Sequence, residues 1–212
     1  MPDSPRDPFP ASDFDPWAES YDRDVETYSD FPFAGYEQVL DTVVTLSGAR
    51  AGMDILDLGT GTGNLAVRFV EKGCSLWCTD FSEAMLAKAR AKLPRAQFVC
   101  HDLRREWPAE LDQRFDRIVS GYVFHHFELD EKISLCKELV TRRLSSEGKL
   151  VIADLSFASQ AILNDFKKGI PDWEDEFYWL ADESLRAFTD TRLNVTYEQV
   201  SPCAGVYQIR KY

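Results

Sequence analysis

From residue 49 onward, short apolar runs bounded by turn residues alternate with stretches whose apolar positions recur at helical spacing. The runs at 53–58, 75–79, 97–100, 115–120 and 149–155 predict strands. Helices are predicted between them over 64–71, 82–93 and 130–144; in the second, Ala84, Met85, Ala89 and Leu93 fall at helical spacing. Strand and helix alternating in this way give a parallel sheet with right-handed crossovers. The unbroken apolar run Leu150-Val151-Ile152-Ala153 suits a strand covered on both faces. The chain's end departs from the pattern: runs at 195–200 and 206–210, joined by Ser201-Pro202-Cys203-Ala204-Gly205, read as a hairpin. The expected fold is therefore α/β, a doubly wound, mostly parallel seven-stranded sheet ending in an antiparallel hairpin.

Upstream, residues 1–12 hold Pro2, Pro5, Pro8 and Pro10 with few apolar groups, and a disordered tail is expected. Residues 13–48 read as two aromatic-rich helical pieces, 14–28 and 33–46. Trp17 and Tyr21 lie one helical turn apart and share a face, as a lid over a site or as a helix stapled to the core. The expected organisation is a tail over 1–12, an N-terminal helical lid over 13–48 and a ligand-binding α/β domain over 49–212.

Composition narrows the functional classes. The 212 residues are 44% hydrophobic, without an apolar run near the ~18 residues of a membrane span or a charged-then-apolar leader, so a cytoplasmic protein with no membrane partner is expected. The five cysteines show neither CxxC pairing nor histidine-linked spacing, so no metal is expected. Net charge is −12, from 24 basic and 36 acidic residues, and acids surround the basic cluster of Arg90, Arg95, Arg104 and Arg105. A nucleic-acid enzyme presents an uninterrupted basic stripe to phosphates, so a small-molecule substrate is favoured over a polynucleotide. Oligomeric state stays open.

The strongest chemical signal is Ile55-Leu56-Asp57-Leu58-Gly59-Thr60-Gly61-Thr62-Gly63-Asn64-Leu65, glycines between a predicted strand and a helix. Glycine permits positive φ in the tight turn and removes the Cβ that would block a ligand, while the helix start offers unpaired N–H groups to a carboxylate or phosphate. Asp80 ends the second strand, placed to accept both hydroxyls of a ribose or, with Glu83 three residues on, to cap the next helix. Asp102 follows the third strand, placed for an adenine amino group or for an Asx-type turn into Leu103-Arg104. Both acids at successive strand ends, after the glycine turn, exceed what capping alone explains.

The run from Asp57 to Gly63, with Asp80, Asp102 and the terminal hairpin, resembles the class I S-adenosylmethionine (SAM)-dependent methyltransferases across about residues 13–212. More narrowly, Phe14-Asp15-Pro16-Trp17-Ala18-Glu19-Ser20-Tyr21-Asp22, Tyr122-Val123-Phe124-His125-His126-Phe127 and Gly148-Lys149-Leu150-Val151-Ile152-Ala153-Asp154 are similar to the small YrrT-like bacterial methyltransferases, whose substrate is poorly defined. The resemblance implies a Rossmann-like fold, SAM as cofactor and a small-molecule acceptor. It implies that Asp57 organises the turn at the methionine end, with Gly59, Thr60 and Gly61 lining it. Asp80 beside Phe81 would hold the ribose and Asp102 beside Leu103 the adenine, while Ser120 to Tyr122 would line the reaction centre. NAD is the rival, because Gly61-x-Gly63-x-x-Ala66 satisfies the dinucleotide pattern and Asp80 follows at a fitting distance. The acid preceding an unbroken Gly-x-Gly-x-Gly, and the antiparallel tail, favour SAM.

Methyl transfer from a sulfonium is an in-line displacement that needs alignment, exclusion of water and, for a protonated nucleophile, a base. His125 and His126 follow the fourth strand, where either is placed to act as base or, alternatively, to cap and support the turn. His126 is the first choice, His125 the second, and Tyr21 joins them as a candidate at the reaction centre. The stretch 171–179, mixing aromatics and acids, is expected to form a substrate loop suited to a cationic or aromatic acceptor, or else an amphipathic helix with its acids in water. A SAM-binding regulator or partner subunit without turnover is the alternative from a different class.

Overall fold

The computed structural model describes residues 14–171 and 173–212, and the tail expected over 1–12 lies outside them. Among the described residues the strands are β1 (Asp54–Leu58), β2 (Ser75–Asp80), β3 (Gln97–Cys100), β4 (Phe115–Gly121), β5 (Leu144–Phe157), β6 (Trp179–Leu180), β7 (Leu193–Gln199) and β8 (Ala204–Lys211). Seven of them form one sheet in the order β3-β2-β1-β4-β5-β8-β7, and β6 pairs with the end of β5. Pairing is parallel from β3 through β5, and β8 runs antiparallel to both β5 and β7. The predicted hairpin is thus present, inserted with its second strand against β5. Strand order reverses between β1 and β4, which opens a crevice beyond their C-terminal ends.

The helices are α1 (Tyr21–Thr27), α2 (Tyr36–Ser47), α3 (Asn64–Glu71), α4 (Glu83–Lys92), α5 (Leu129–Glu138), α6 (Gln160–Lys167) and α7 (Ala181–Phe188). Alternate residues of the central strands feed two cores. Val119, Val151, Ala153 and Val206 pack with Val39, Leu40 and Val43 of α2 and Ala66 and Phe69 of α3. Ile118, Leu150, Ile152 and Ile209 pack with Leu135, Cys136 and Leu139 on the other side. Period-two alternation with both faces buried explains why residues 150–153 carry no polar position.

Several boundaries differ from the sequence expectation. The 14–28 helix is split into a 3-10 turn at Pro16–Glu19 and α1, and the second piece starts only after Gly35, whose φ of 74° belongs to the left-handed region. The helix expected over 130–144 ends at Glu138 and continues as a π-helical turn, Leu139–Arg143. Strand β5 extends beyond 149–155 because Leu144 pairs with Phe115 at one end and Ser156 and Phe157 pair with β6 at the other. Neither α6 nor α7 was anticipated. Each has only eight residues, shorter than the roughly 11-residue window over which helical periodicity separates from other patterns. The stretch from Trp173 to Tyr178 is not helical, and its backbone is held by tertiary contacts instead.

Candidate active site

The glycine turn leaves β1 and closes on β2 through backbone bonds. Thr60 N–H donates to Thr79 O at 2.7 Å, and Gly61 N–H donates to Asp80 Oδ2 at 2.8 Å. Gly59 has φ 64°, and a Cβ there would lie 2.2 Å from a Val123 methyl, so only glycine fits. Gly61 has φ 54° with nothing within 4 Å of a Cβ position, so its backbone faces open space in the crevice. The Thr60 hydroxyl donates to Asp57 Oδ2 at 2.8 Å. Burial pushes the Asp57 carboxyl up to about 7, against the Thr60 hydrogen bond, with Asp80 adding to the rise.

Asp80 is buried at the end of β2, and burial raises its carboxyl to about 6 against hydrogen bonds from Ser82, Gly61 and Phe81. It does not cap the next helix. Ser82 is the N-cap of α4, its hydroxyl accepting from Met85 N–H at 3.1 Å, while Asp80 Oδ1 accepts from Ser82 N–H at 2.9 Å. Asp102 makes the Asx-type turn considered above: Arg104 N–H donates to Oδ1 at 3.0 Å, and the Arg104 side chain donates to both oxygens at 2.9 and 3.1 Å. Its carboxyl sits below the usual range because these Arg104 bonds outweigh burial, the largest single influence. Asp57, Gly59, Thr60, Gly61, Asp80, Phe81, Asp102 and Leu103 all line one cavity of about 540 Å³, a size usual for small-molecule sites. Ser120 departs from the expectation. It is fully buried and absent from the cavity wall, its hydroxyl donating to Leu58 O at 2.9 Å and tying β4 to β1, while Gly121 and Tyr122 take the wall position.

A ligand with a ribose diol and a positive charge fits this wall. The Asp57 and Asp80 carboxylates are held away from water with, among the described residues, no lysine or arginine bonded to them, and the bare backbone at Gly61 lets a ligand approach closely.

The opposite wall is the 3-10 turn Phe124–His126. His125 Nδ1 lies 2.5 Å from Asp154 Oδ1, and its Nε2 lies 3.4 Å from Glu176 Oε2. Asp154 is fully buried in β5, where its other oxygen accepts from Trp179 Nε1 at 3.1 Å. Burial opposes charge on His125, but the Asp154 charge and hydrogen bond, with Glu176, raise its pKa overall; Asp154 falls below the usual range for the reciprocal reason. His126, its ring 4.1 Å from that of His125, is driven down to about 3 by burial and by its neighbour's charge. Buried Lys132 donates to Phe177 O, lies over the Trp179 ring at 4.8 Å, and is lowered to about 8 by burial, partly offset by Asp154.

Asp154, Lys132 and Glu176 were not singled out as candidate site residues from sequence. The available signals were an acid inside an otherwise apolar strand, at Asp154, and the aromatic and acidic 171–179 stretch that contains Glu176. Ligand atoms of His125, His126 and Glu176 lie within 4.8 Å of one another, so the three side chains form one cluster of nitrogen and oxygen donors at the cavity.

The N-terminal segment closes the cavity. Trp17 and Tyr21 line it and contact each other edge to face at 4.8 Å. The segment is pinned to the glycine turn by Asp22, which accepts from Thr62 Oγ1 at 2.6 Å and pairs with Lys92 at 2.7 Å, and to α4 by Glu19–Lys88 at 2.8 Å. The Tyr21 hydroxyl is hydrogen-bonded to Tyr36, and burial, reinforced by that bond, lifts its pKa well above 10, so it stays protonated.

Comparison with known proteins is consistent with this geometry. The family described as "Methyltransferase domain" matches residues 55–148. An uncharacterized methyltransferase of Geobacillus thermodenitrificans (strain NG80-2) is 32% identical over 213 residues, covering 93% of this chain and 95% of the relative. An uncharacterized methyltransferase of Bacillus licheniformis is 30% identical over 214 residues, covering 93% and 96%. Among solved structures, magnesium protoporphyrin IX methyltransferase (ChlM) from Synechocystis PCC 6803 with bound SAH, the demethylated form of SAM, superposes with TM-score 0.74 at 16% identity, covering 95% of this chain and 98% of that one. The DhpI–SAH complex gives TM-score 0.71 at 17% identity, covering 95% and 94%.

Proposed function

Since this chain belongs to the class I SAM-dependent methyltransferases, we propose that it methylates a small molecule whose nucleophile gives up its proton to His125. SAM supplies an activated methyl on a sulfonium. The chain's own residues supply the rest. Asp80 and the Gly59–Thr60–Gly61 backbone hold and orient the cofactor, and the Trp17–Tyr21 lid excludes water. The size of the cavity and the acidic surface support a small acceptor over a polynucleotide.

The observation that carries this reading is the 2.5 Å bond between His125 Nδ1 and buried Asp154. It fixes the imidazole's tautomer and aims Nε2 at the cavity, and Asp154 stabilises the imidazolium that forms. His125 therefore takes precedence over His126, reversing the order preferred from sequence. A nitrogen held near pKa 3 is too weak a base to take a proton at neutral pH.

The test is turnover of labelled SAM against thiol, amine and phenol panels. His125→Ala should lower kcat by ~10²–10⁴-fold with SAM affinity nearly unchanged, whereas His126→Ala should leave a larger residual rate. Chelation of divalent metals should leave the rate unaffected. Wild-type rates in His125→Ala would end the base assignment, and failure to bind SAM would end the cofactor assignment.

A further inference from the structure

We propose that Glu176 is the acceptor-recognition residue, and that the acceptor is a small cationic amine held as its ammonium by the Glu176 carboxylate between aromatic faces. The inference rests on the methyl-transfer reading above and names its substrate class.

Charge is the first argument. Asp57, Asp80, Asp102, Glu174 and Glu176 line the cavity, while among the described residues the only lysine or arginine on its wall is Arg104, whose guanidinium is engaged by both oxygens of Asp102. SAM, with a sulfonium, an ammonium and a carboxylate, contributes one net positive charge. The acids near the glycine turn absorb it, and the Glu174–Glu176 end keeps its negative potential.

The second argument is how Glu176 is held. Both backbone groups of the next residue are clamped: Phe177 N–H donates to His125 O at 3.0 Å, and Phe177 O accepts from Lys132. On either side, Trp173 stacks on Phe31 at 4.8 Å, and the Tyr178 hydroxyl donates to Glu174 O at 2.7 Å. A solvent-facing loop has no need of such clamping. Its result is that Glu176 Oε2 is buried 3.4 Å from His125 Nε2 and accepts no hydrogen bond. A buried carboxylate oxygen without a donor is costly, and an ammonium brings three donors. Burial, the main influence, raises the Glu176 carboxyl against the pull of His125, with Asp154 and Glu174 adding to the rise.

The third argument is the wall material. Phe31, Phe33, Tyr36, Tyr122 and Tyr178 line the same cavity, and aromatic faces attract a desolvated cation. The chemistry closes on these groups. An ammonium bound at Glu176 lies beside His125 Nε2, which takes one N–H proton and frees the nitrogen lone pair. That pair forms the N–CH3 bond as the methyl–sulfur bond breaks, the bonding electrons staying on sulfur.

The test is calorimetry on the full chain saturated with SAH, using 2-phenylethylamine, 2-phenylethanol and phenylacetate, which share one skeleton and differ in charge. The amine should bind about tenfold or more tighter than the alcohol, with phenylacetate weakest. In Glu176→Gln the amine should fall to the level of the alcohol, whose own affinity should hold, with unchanged SAH affinity as the check on folding. Equal or tighter binding of the alcohol or phenylacetate, binding by none of the three, or an amine preference that survives in a folded Glu176→Gln would overturn the proposal. The wild-type comparison decides even if that variant misfolds. Absence of the amine preference in the wild-type chain with SAH still bound defeats this inference alone, whereas absence of SAH binding defeats the reading beneath it.

Discussion

At the scale of single residues, two buried carboxylates divide the chemistry. In the proposed mechanism Asp154 acts through His125. With the carboxylate present, the imidazole's pKa lies above its ordinary ~6.5, so the base is lost as pH falls through that raised value. Asp154→Asn should shift the acid limb of the kcat/KM profile to lower pH and reduce kcat, because the imidazolium loses its counter-charge. An unshifted limb would assign it to another group. Asp80 acts on the cofactor. Asp80→Ala should cost roughly 1.5–3 kcal/mol of SAM affinity, and any loss of thermal stability comes from the Gly61 and Ser82 N–H groups it leaves unpaired rather than from a lost helix cap, because Ser82 caps α4. The raised carboxyls of Asp57 and Asp80, about 7 and 6, give a second readout. A cationic ligand binds their ionised forms better, so wild-type affinity should rise with pH across that interval and binding should release protons. Calorimetry in buffers of differing ionisation enthalpy measures this, and affinity independent of pH would contradict it.

Among the elements, the N-terminal segment and the 173–178 segment close the cavity by different means. The first is pinned by side chains, Asp22 on buried Thr62 and on Lys92, and Glu19 on Lys88 in an exposed pair that contributes little. The second is pinned by backbone bonds to His125 and by Lys132. The first is the proposed lid, and its opening would admit ligands. Deleting residues 1–30 should abolish turnover yet leave the sheet folded, since the core of α2, α3 and the central strands lies outside the deleted segment. Near-native circular dichroism with lost activity is the expected pair of results, and full activity would remove the lid from the account. This scale also shows where local pattern runs short. The 171–179 stretch reads equally as loop or amphipathic helix, because its conformation is set by partners on the turn after β4 and on α5 rather than by its own periodicity.

For the whole molecule, the strand–helix alternation, the glycine turn, Asp57, Asp80 and Asp102 and the terminal hairpin were all legible in the sequence. Each is a local consequence of chain chemistry. Burial on both sheet faces demands unbroken apolar strands, and a ligand at a strand end demands glycine and a nearby acid. The doubly wound topology follows once such units repeat, because handedness leaves few ways to stack them. What only the tertiary structure decided is which side chains meet across the crevice. It set Asp154 from β5 behind His125 from the turn after β4, demoted His126 to a nitrogen held near pKa 3, withdrew Ser120 into the sheet and brought Glu176 against Nε2. These outcomes depend on strand register and on the desolvation that packing imposes. Both are properties of residues far apart in the chain, and no local spacing encodes them.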